Sequence, residues 1–267
     1  MEPMQSQATD IEGLPRRYRT WLSLTGLTDH QFRNVLTLIG HQVVSPARGR
    51  PWRLPLPVRV LLVLIHLRTN LTTRALAALF ATNQSTADRI VHHLVPVLAG
   101  ALRPTGARDD GPWIIDGTLI PVHDQSITAI SKNYRRSVNT QIIIDARRRT
   151  VIAVGAAWPG NRNDVVVARR TVASLLDGSR PILGDGGYRG ITTITGPRRG
   201  SDGRIVRDHH YRAHRRIRAR VEHVIARIKD WQILRQCRRR GDAINHSLQI
   251  VGGLWNLKAR GQLRVNP

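Results

Sequence analysis

The hydrophobic pattern of this 267-residue chain changes once, at a linker over residues 104–112 that contains Gly, Pro and Asp. From Arg53 to Leu98 the pattern is helical, whereas from Trp113 onwards apolar residues form short β-branched runs. Helices alone precede the linker, and strands mixed with helices follow it. This order predicts an all-α N-terminal domain and a separate α/β layered domain.

We expect three parts along the chain. The first twelve residues are polar and show no periodicity, so residues 1–20 are predicted to be a disordered tail. Residues 21–103 form the helical domain, and residues 112–262 form the α/β domain. The expected elements of the second domain are strands at Trp113–Val122, Thr140–Ile144, Thr150–Ala157 and Pro181–Gly184, and a helix at about Asn163–Leu176.

Two short helices across a tight turn stand out in the helical domain. The segment Asn70–Thr73 caps a helix over Arg74–Phe80, and we expect Ser85 to cap the helix that follows. A helix-turn-helix has this form, with the N-terminal residues of its second helix against base edges, although an ordinary helical hairpin shares the pattern. The expected DNA-contacting residues are Gln84, Ser85, Thr86 and Arg89.

The charge of the chain predicts a polyanionic partner. Its formal net charge is +24 and its pI is about 11.8, so binding to phosphates would release condensed counterions. We favour nucleic acid over a membrane, because no run of eighteen apolar residues and no basic amphipathic helix with an aromatic face occurs. The single cysteine, Cys237, excludes an internal disulfide. Without a signal-peptide pattern, the protein is expected in the cytosol.

Two aspartates lie at or near strand ends of the α/β domain. Asp116 interrupts an apolar strand, where a lone charge is costly to bury, and Asp185 ends a short strand beside glycines. A salt bridge to arginine explains the first equally well, and a Gly-rich turn explains the second. Together they indicate a site for Mg²⁺, which prefers oxygen ligands and acts in pairs on phosphodiesters.

The third acid, Glu222, lies in the most basic stretch of the chain. Residues 198–240 contain fifteen Arg or Lys against four acids. An apolar stripe at spacings of three and four predicts a helix here. On a neighbouring stripe of that helix lie Arg215, Arg218, Glu222 and Lys229. Surface ion pairing alone would explain Glu222, but the other two carboxylates favour a metal ligand.

These three acids carry a family resemblance. Asp116 lies in Ile-Asp-Gly-Thr, Asp185 in Gly-Asp-Gly-Gly-Tyr, and Glu222 in Arg-x3-Glu-x6-Lys. The motifs resemble the catalytic blocks of bacterial insertion-sequence transposases with an Asp-Asp-Glu (DDE) site, closest to the insertion-sequence-five group and related to eukaryotic Harbinger nucleases. The 36 residues between Asp185 and Glu222 are similar to that family's spacing, and Leu54–Val97 resembles its helix-turn-helix.

The resemblance implies a ribonuclease-H-like catalytic domain that holds two Mg²⁺ or Mn²⁺ ions on Asp116, Asp185 and Glu222. A transposase of this kind binds terminal inverted repeats, cuts them through a metal-activated water, and joins the freed 3′-hydroxyl to target DNA. We expect it to act as a homo-oligomer on double-stranded DNA in the bacterial nucleoid. A DNA-binding regulator derived from a transposase, or a nuclease that cuts without joining, are the alternatives.

The resemblance also assigns the neighbouring residues. Arg218 and Lys229 match basic positions that contact phosphate, and Arg215, also expected at DNA, replaces a usual tyrosine. Asp164 is a candidate fourth acid of the site, although a helix N-terminal acid has the same pattern. Four histidines of the basic region are expected to be exposed rather than to bind metal: His209, His210, His214 and His223.

Overall fold

The computed structural model describes residues 11, 13–40, 42, 51–105, 111–132 and 135–262. The chain divides into two compact units between Val97 and Leu98. This division lies within a helix and not in the expected linker at 104–112. The domain limits of 21–103 and 112–262 remain predictions.

The first unit is helical, as predicted. Its elements are α1 (Arg16–Arg19), a 3-10 helix (Thr20–Thr25), α2 (Asp29–Gly40), α3 (Leu56–Thr69), α4 (Thr73–Leu79) and α5 (Gln84–Ala101). Every residue from Val58 to Leu67 is buried, because α3 is apolar on nearly all sides and can only lie at the centre of its unit. The helix ends at Asn70, which adopts a left-handed conformation with φ 56°.

The expected disordered tail requires a correction. Leu14 and Tyr18 are buried, and the Tyr18 ring stacks on Phe80 with the ring centroids 5.5 Å apart. The prediction for residues 1–20 is therefore wrong from Leu14 onwards, because an aromatic anchor in a polar stretch joins the core of the helical unit. Residues 1–10 and 12 lie outside the described part of the chain.

The turn between α4 and α5 is built as a helix-turn-helix, but with a different cap. Thr72 caps α4 as expected, since its Oγ1 accepts a hydrogen bond from the Ala75 amide at 3.2 Å. For α5 the cap is Asn83, whose Oδ1 accepts from the Thr86 amide at 2.7 Å. The expectation that Ser85 caps this helix is wrong, because Ser85 already lies in the first turn.

The second unit is built on a mixed sheet, which confirms the α/β prediction. Its strands are β1 (Trp113–Pro121), β2 (Ala129–Ile130), β3 (Arg136–Asp145), β4 (Val151–Val154), β5 (Trp158–Pro159), β6 (Ile182–Leu183) and β7 (Ile194–Thr195). The strand order is β2-β3-β1-β6-β7, with β4 and β5 also paired to β3. β1 runs antiparallel to β3 and parallel to β6. The sequence pattern missed β2, β5 and β7, since two residues are too short to show a period.

Three helices accompany the sheet: α6 (Asp164–Thr171), α7 (His209–Ile228) and α8 (Ala243–Gln262). α6 is shorter than predicted, because Val172 leaves helical geometry and a 3-10 turn follows. On one face of the sheet, Ile115 and Ile143 pack with Ala168 of α6 in the core. Since side chains alternate along a strand, Asp116 belongs to the opposite face.

Candidate active site

The pairing of β1 with β6 brings two of the predicted acids together. Ile114 lies opposite Leu183 in a parallel register, and Asp116 and Asp185 each follow this pair by two residues. The chain turns sharply after Leu183. A Cβ on Gly184 would lie 2.7 Å from Ile194 and 2.8 Å from Tyr188, so only glycine fits beside this acid.

Helix α7 supplies the third acid through a shared arginine. Nη2 of Arg218 lies 3.6 Å from Oδ1 of Asp116 and 3.8 Å from Oε1 of Glu222. The side chains of Asp116 and Arg218 are only 18% and 14% exposed, whereas that of Glu222 is 58% exposed. The site therefore has a half-buried ion pair between Asp116 and Arg218 and an exposed carboxylate at Glu222. The alternative explanation of Asp116, a salt bridge to arginine, is therefore also present: the partner is Arg218, which contacts Glu222 as well.

The electrostatics of Asp116 show that the acids interact. The pKa of Asp116 is raised from 3.8 to about 6, chiefly by burial; Arg218 lowers this pKa, and the charges of Asp185 and Glu222 raise it. The Gly117 amide donates to Oδ1 at 3.1 Å and also favours ionisation. Burial and carboxylate repulsion together outweigh these stabilising contacts. The structure therefore places Asp185 and Glu222 close enough to Asp116 for their charges to act on it.

Asp164, the candidate fourth acid, is held by a polar network from β3. Its Oδ1 accepts hydrogen bonds from Asn139 Nδ2 at 2.8 Å and from Gln141 Nε2 at 3.2 Å. A Cβ on Gly117 would clash with this same oxygen, so the glycine of Ile-Asp-Gly-Thr makes room for Asp164. The acid does start helix α6, but its partners lie in the sheet beside the other acids.

Tyr188 holds the network of Asn139, Gln141 and Asp164 in place through Gln141. Its buried hydroxyl donates to Oε1 of Gln141. Burial raises the pKa of Tyr188, and the charges of Asp164, Asp116 and Asp185 raise it further. The hydroxyl therefore remains a donor that fixes the amide of Gln141. Sequence reasoning missed this chain of contacts, although two amides two residues apart in the apolar strand β3 were a readable signal.

The basic residues expected at DNA have different environments. Arg215 is exposed, with its guanidinium 5.9 Å from the Tyr211 ring centroid. Lys229 is half-buried, and its Nζ donates to the Leu119 carbonyl of β1 at 3.0 Å. Burial, and to a lesser degree Arg235, lowers the pKa of Lys229. Phosphate contacts by Arg215, Arg218 and Lys229 remain predictions.

The expected reading residues of the helix-turn-helix lie at the start of α5. Gln84, Ser85 and Arg89 are exposed, and Thr86 is half-buried. Arg74 of α4 donates from Nε to Oε1 of Gln84 at 3.4 Å, which adds a cation to the same surface. These side chains are available for base contacts, and their role stays a prediction.

The donor chemistry of the acid cluster fits a hard divalent cation. The carboxylates of Asp116, Asp185 and Glu222 provide only oxygen ligands, and their mutual repulsion is what a dication would relieve. Within the described ranges, no group of three or more His, Cys, Asp or Glu side chains is arranged as a metal cluster. Arg218 supplies the positive charge between Asp116 and Glu222.

Comparison with known proteins identifies the class of this chain. Residues 108–257 match the family described as the transposase DDE domain, and residues 52–104 match the helix-turn-helix of the DDE superfamily endonucleases. The chain belongs to the DDE transposase family, which confirms the resemblance of its three motifs and the ribonuclease-H-like α/β fold. The helix-turn-helix prediction for Leu54–Val97 is confirmed by the second match.

One relative is similar over nearly its whole length. The candidate transposase for insertion sequence element IS112 of Streptomyces albus G is 42% identical over 248 residues, which are 91% of this chain and 96% of the relative. The cryo-EM structure of a piggyBac transposase synaptic complex with hairpin DNA aligns with 92% of this chain and 75% of its own. Its TM-score is 0.46 at 10% identity, a similarity too low to add information.

None of the helices in the described ranges is long and apolar enough to cross a membrane.

Proposed function

We propose that this transposase binds the terminal inverted repeats of its mobile element and cuts them with two Mg²⁺ or Mn²⁺ ions held by Asp116, Asp185 and Glu222. The observation that carries the proposal is the electrostatic coupling of Asp116 to the other two acids, beside the end of a parallel strand pair. When bound, the ions activate a water and stabilise the leaving oxygen of the phosphodiester.

The residues of the chain prepare this site before chemistry begins. Arg218 lies between Asp116 and Glu222, and its positive charge offsets the repulsion between the two carboxylates. Asp164, held by Asn139 and Gln141, supports the acid cluster as a fixed fourth carboxylate. Arg215, which is exposed on the same helix, holds the DNA backbone against the site. Lys229, at the end of this helix, donates a hydrogen bond to β1.

The second step joins the freed 3′-hydroxyl to target DNA at the same acids. We infer that a homo-oligomer carries it out, because two element ends must be held together. Because this reaction takes place on chromosomal DNA, the protein is expected at the nucleoid in the bacterial cytoplasm. The helix-turn-helix reads the repeat through Gln84, Ser85, Thr86 and Arg89, three of which are exposed at the start of α5.

A plasmid assay tests the proposal. Purified protein is incubated with Mg²⁺ and a supercoiled plasmid that carries the repeats flanking its own gene, together with a labelled target plasmid. We expect wild type to cut at the repeat ends and to join them to the target. Asp116→Ala, Asp185→Ala and Glu222→Ala should each abolish cutting while binding of repeat DNA persists.

The control is Asp202→Ala, which removes an acid with a side chain that is 61% exposed and paired with Arg204. It should cut like wild type. Binding without cutting by wild type would identify a DNA-binding regulator. Cutting without joining would identify a nuclease, and cutting that survives all three substitutions would refute the assigned acids.

A further inference from the structure

We propose that Trp52, Arg59 and Arg89 form a binding site for one DNA backbone phosphate beside the recognition helix α5. The inference rests on the proposed DNA binding of the helix-turn-helix but not on cleavage. It adds Trp52 and Arg59, which lie outside the turn, to the expected DNA-contacting residues, and it gives Arg89 a phosphate contact besides its expected contact with bases.

The site is organised around a single indole ring. The guanidinium carbons of Arg59 and Arg89 lie 5.0 Å and 5.8 Å from the centroid of the Trp52 ring. The ring of His93 lies 6.0 Å from the same centroid. Three basic side chains from α3 and α5 therefore gather at one aromatic residue that precedes both helices. Such contacts orient guanidinium groups without engaging their N–H donors, which stay available for hydrogen bonds.

Arg59 is the residue that calls for an anion. It is only 6% exposed, and its Nε and Nη1 are buried without a hydrogen-bond partner. Burial lowers the pKa of this guanidinium. An unpaired buried cation destabilises the free protein. An anion beside this guanidinium would offset its charge, although Nε and Nη1 themselves are closed to solvent.

The described part of the helical unit provides no acid for this purpose. Its acids there are Asp29, at the start of α2, and Asp88, which lies 3.8 Å from His92. Neither forms an ion pair with Arg59 or Arg89. The positive charge around Trp52 is therefore uncompensated within these residues, although the arginines are held in place.

The position of Arg89 selects DNA phosphate as the ligand. Arg89 is exposed on α5 and donates from Nη2 to Oγ1 of Thr86 at 3.4 Å. It lies one turn after Ser85 on the first part of α5, which is expected to face a DNA groove. Phosphate oxygens accept charge-assisted hydrogen bonds from several donors at once. A backbone phosphate at this surface would position α5 without reading sequence.

A salt series of DNA binding tests the site. Fluorescence anisotropy is measured without divalent metal, on a repeat duplex and on a scrambled duplex, with the full chain and with Arg59→Met. Because each neutralised phosphate contributes about −0.9 to the slope of log K against log salt, we expect the variant's slope to be shallower by roughly one. The ratio of affinities for the two duplexes should not change. The free variant should also unfold at a higher temperature, since it lacks the unpaired cation.

Arg17→Met is the matched control. Arg17 is exposed and its guanidinium lies 4.6 Å from the Tyr18 ring centroid, so the substitution removes the same charge and a similar ring contact. Its slope should equal that of wild type. Arg89→Met, at an exposed position, gives a second test of the site that does not alter a buried residue.

Several outcomes would overturn the proposal. An unchanged slope for both Arg59→Met and Arg89→Met would make the cluster structural. A collapsed affinity ratio for Arg59→Met would mean that Arg59 reads bases and does not bind phosphate, whereas Arg89, which is also expected to read bases, is judged by its slope alone. If wild type binds neither duplex, the proposed DNA-binding function itself fails, whereas loss of cleavage alone leaves this inference intact.

Discussion

Asp116→Asn should stabilise the folded protein at neutral pH while it abolishes cleavage. The pKa of Asp116 is raised from 3.8 to about 6 in the folded protein. An unfolded chain therefore ionises this group first, and folding becomes less favourable as pH rises from about 4 to about 6. A shift of about 2 units corresponds to about 3 kcal/mol as an upper bound. The net shift already includes the attraction of Arg218.

The assay is urea denaturation followed by circular dichroism, for wild type and the variant, at several pH values between about 4 and 8. Because the two proteins differ only at this residue, the pH dependence of their stability difference reports the ionisation of Asp116 together with its coupling to Asp185 and Glu222. We expect the difference to be near zero at about pH 4 and to reach its plateau above pH 6. Asp202→Asn, at a mostly exposed acid, should show no comparable pH-dependent difference.

Added Mg²⁺ gives a second test of Asp116 in the same denaturation experiment. A ligand that binds only the folded state stabilises it, so the ion should raise the stability of wild type and leave Asp116→Asn largely unaffected. The reasoning is refuted if the variant is the less stable protein at neutral pH without metal. A stability difference that does not depend on pH would refute it equally.

Three further substitutions test the surroundings of the site and the turn. Arg218→Met should raise the pKa of Asp116 above about 6, since the substitution removes the cation that lowers this pKa. A carbon NMR titration would measure the higher pKa, and the pH profile of cleavage should shift to more alkaline pH. Gly117→Ala should destabilise the protein by roughly 1–3 kcal/mol and reduce cleavage, because the new methyl group would clash with the carboxylate of Asp164. An unchanged melting temperature would contradict this prediction. Asn83→Ala should cost about 1 kcal/mol through loss of the α5 cap, whereas Ser85→Ala should cost a few tenths; equal losses in denaturation would disprove the cap assignment.

Local patterns were enough to predict much of this molecule. The apolar run of α3, the strand of Asp116 and the basic helix of Glu222 each express a period that lies within a few neighbouring residues. Thr72 at the start of α4 was likewise readable, because a cap involves only the next three residues. Such features depend on nearby sequence and little on the rest of the fold.

Tertiary contacts decided the rest. The parallel pairing of β1 with β6, which ends two residues before Asp116 and Asp185, joins segments 69 residues apart, and no local pattern encodes it. The same holds for Asp164, whose partners lie 23 and 25 residues away, and for Lys229, which bonds a carbonyl 110 residues away.

The sequence by itself therefore determined which acids the protein has and on which elements they lie. It also determined the basic surroundings that indicate DNA, since charge is a property of composition. Only the tertiary structure decided that Arg218 joins two of the acids and that Asn139 and Gln141 orient a further one. The physical reason is that periodicity follows from backbone geometry within one element, whereas pairing between elements depends on the packing of the whole unit.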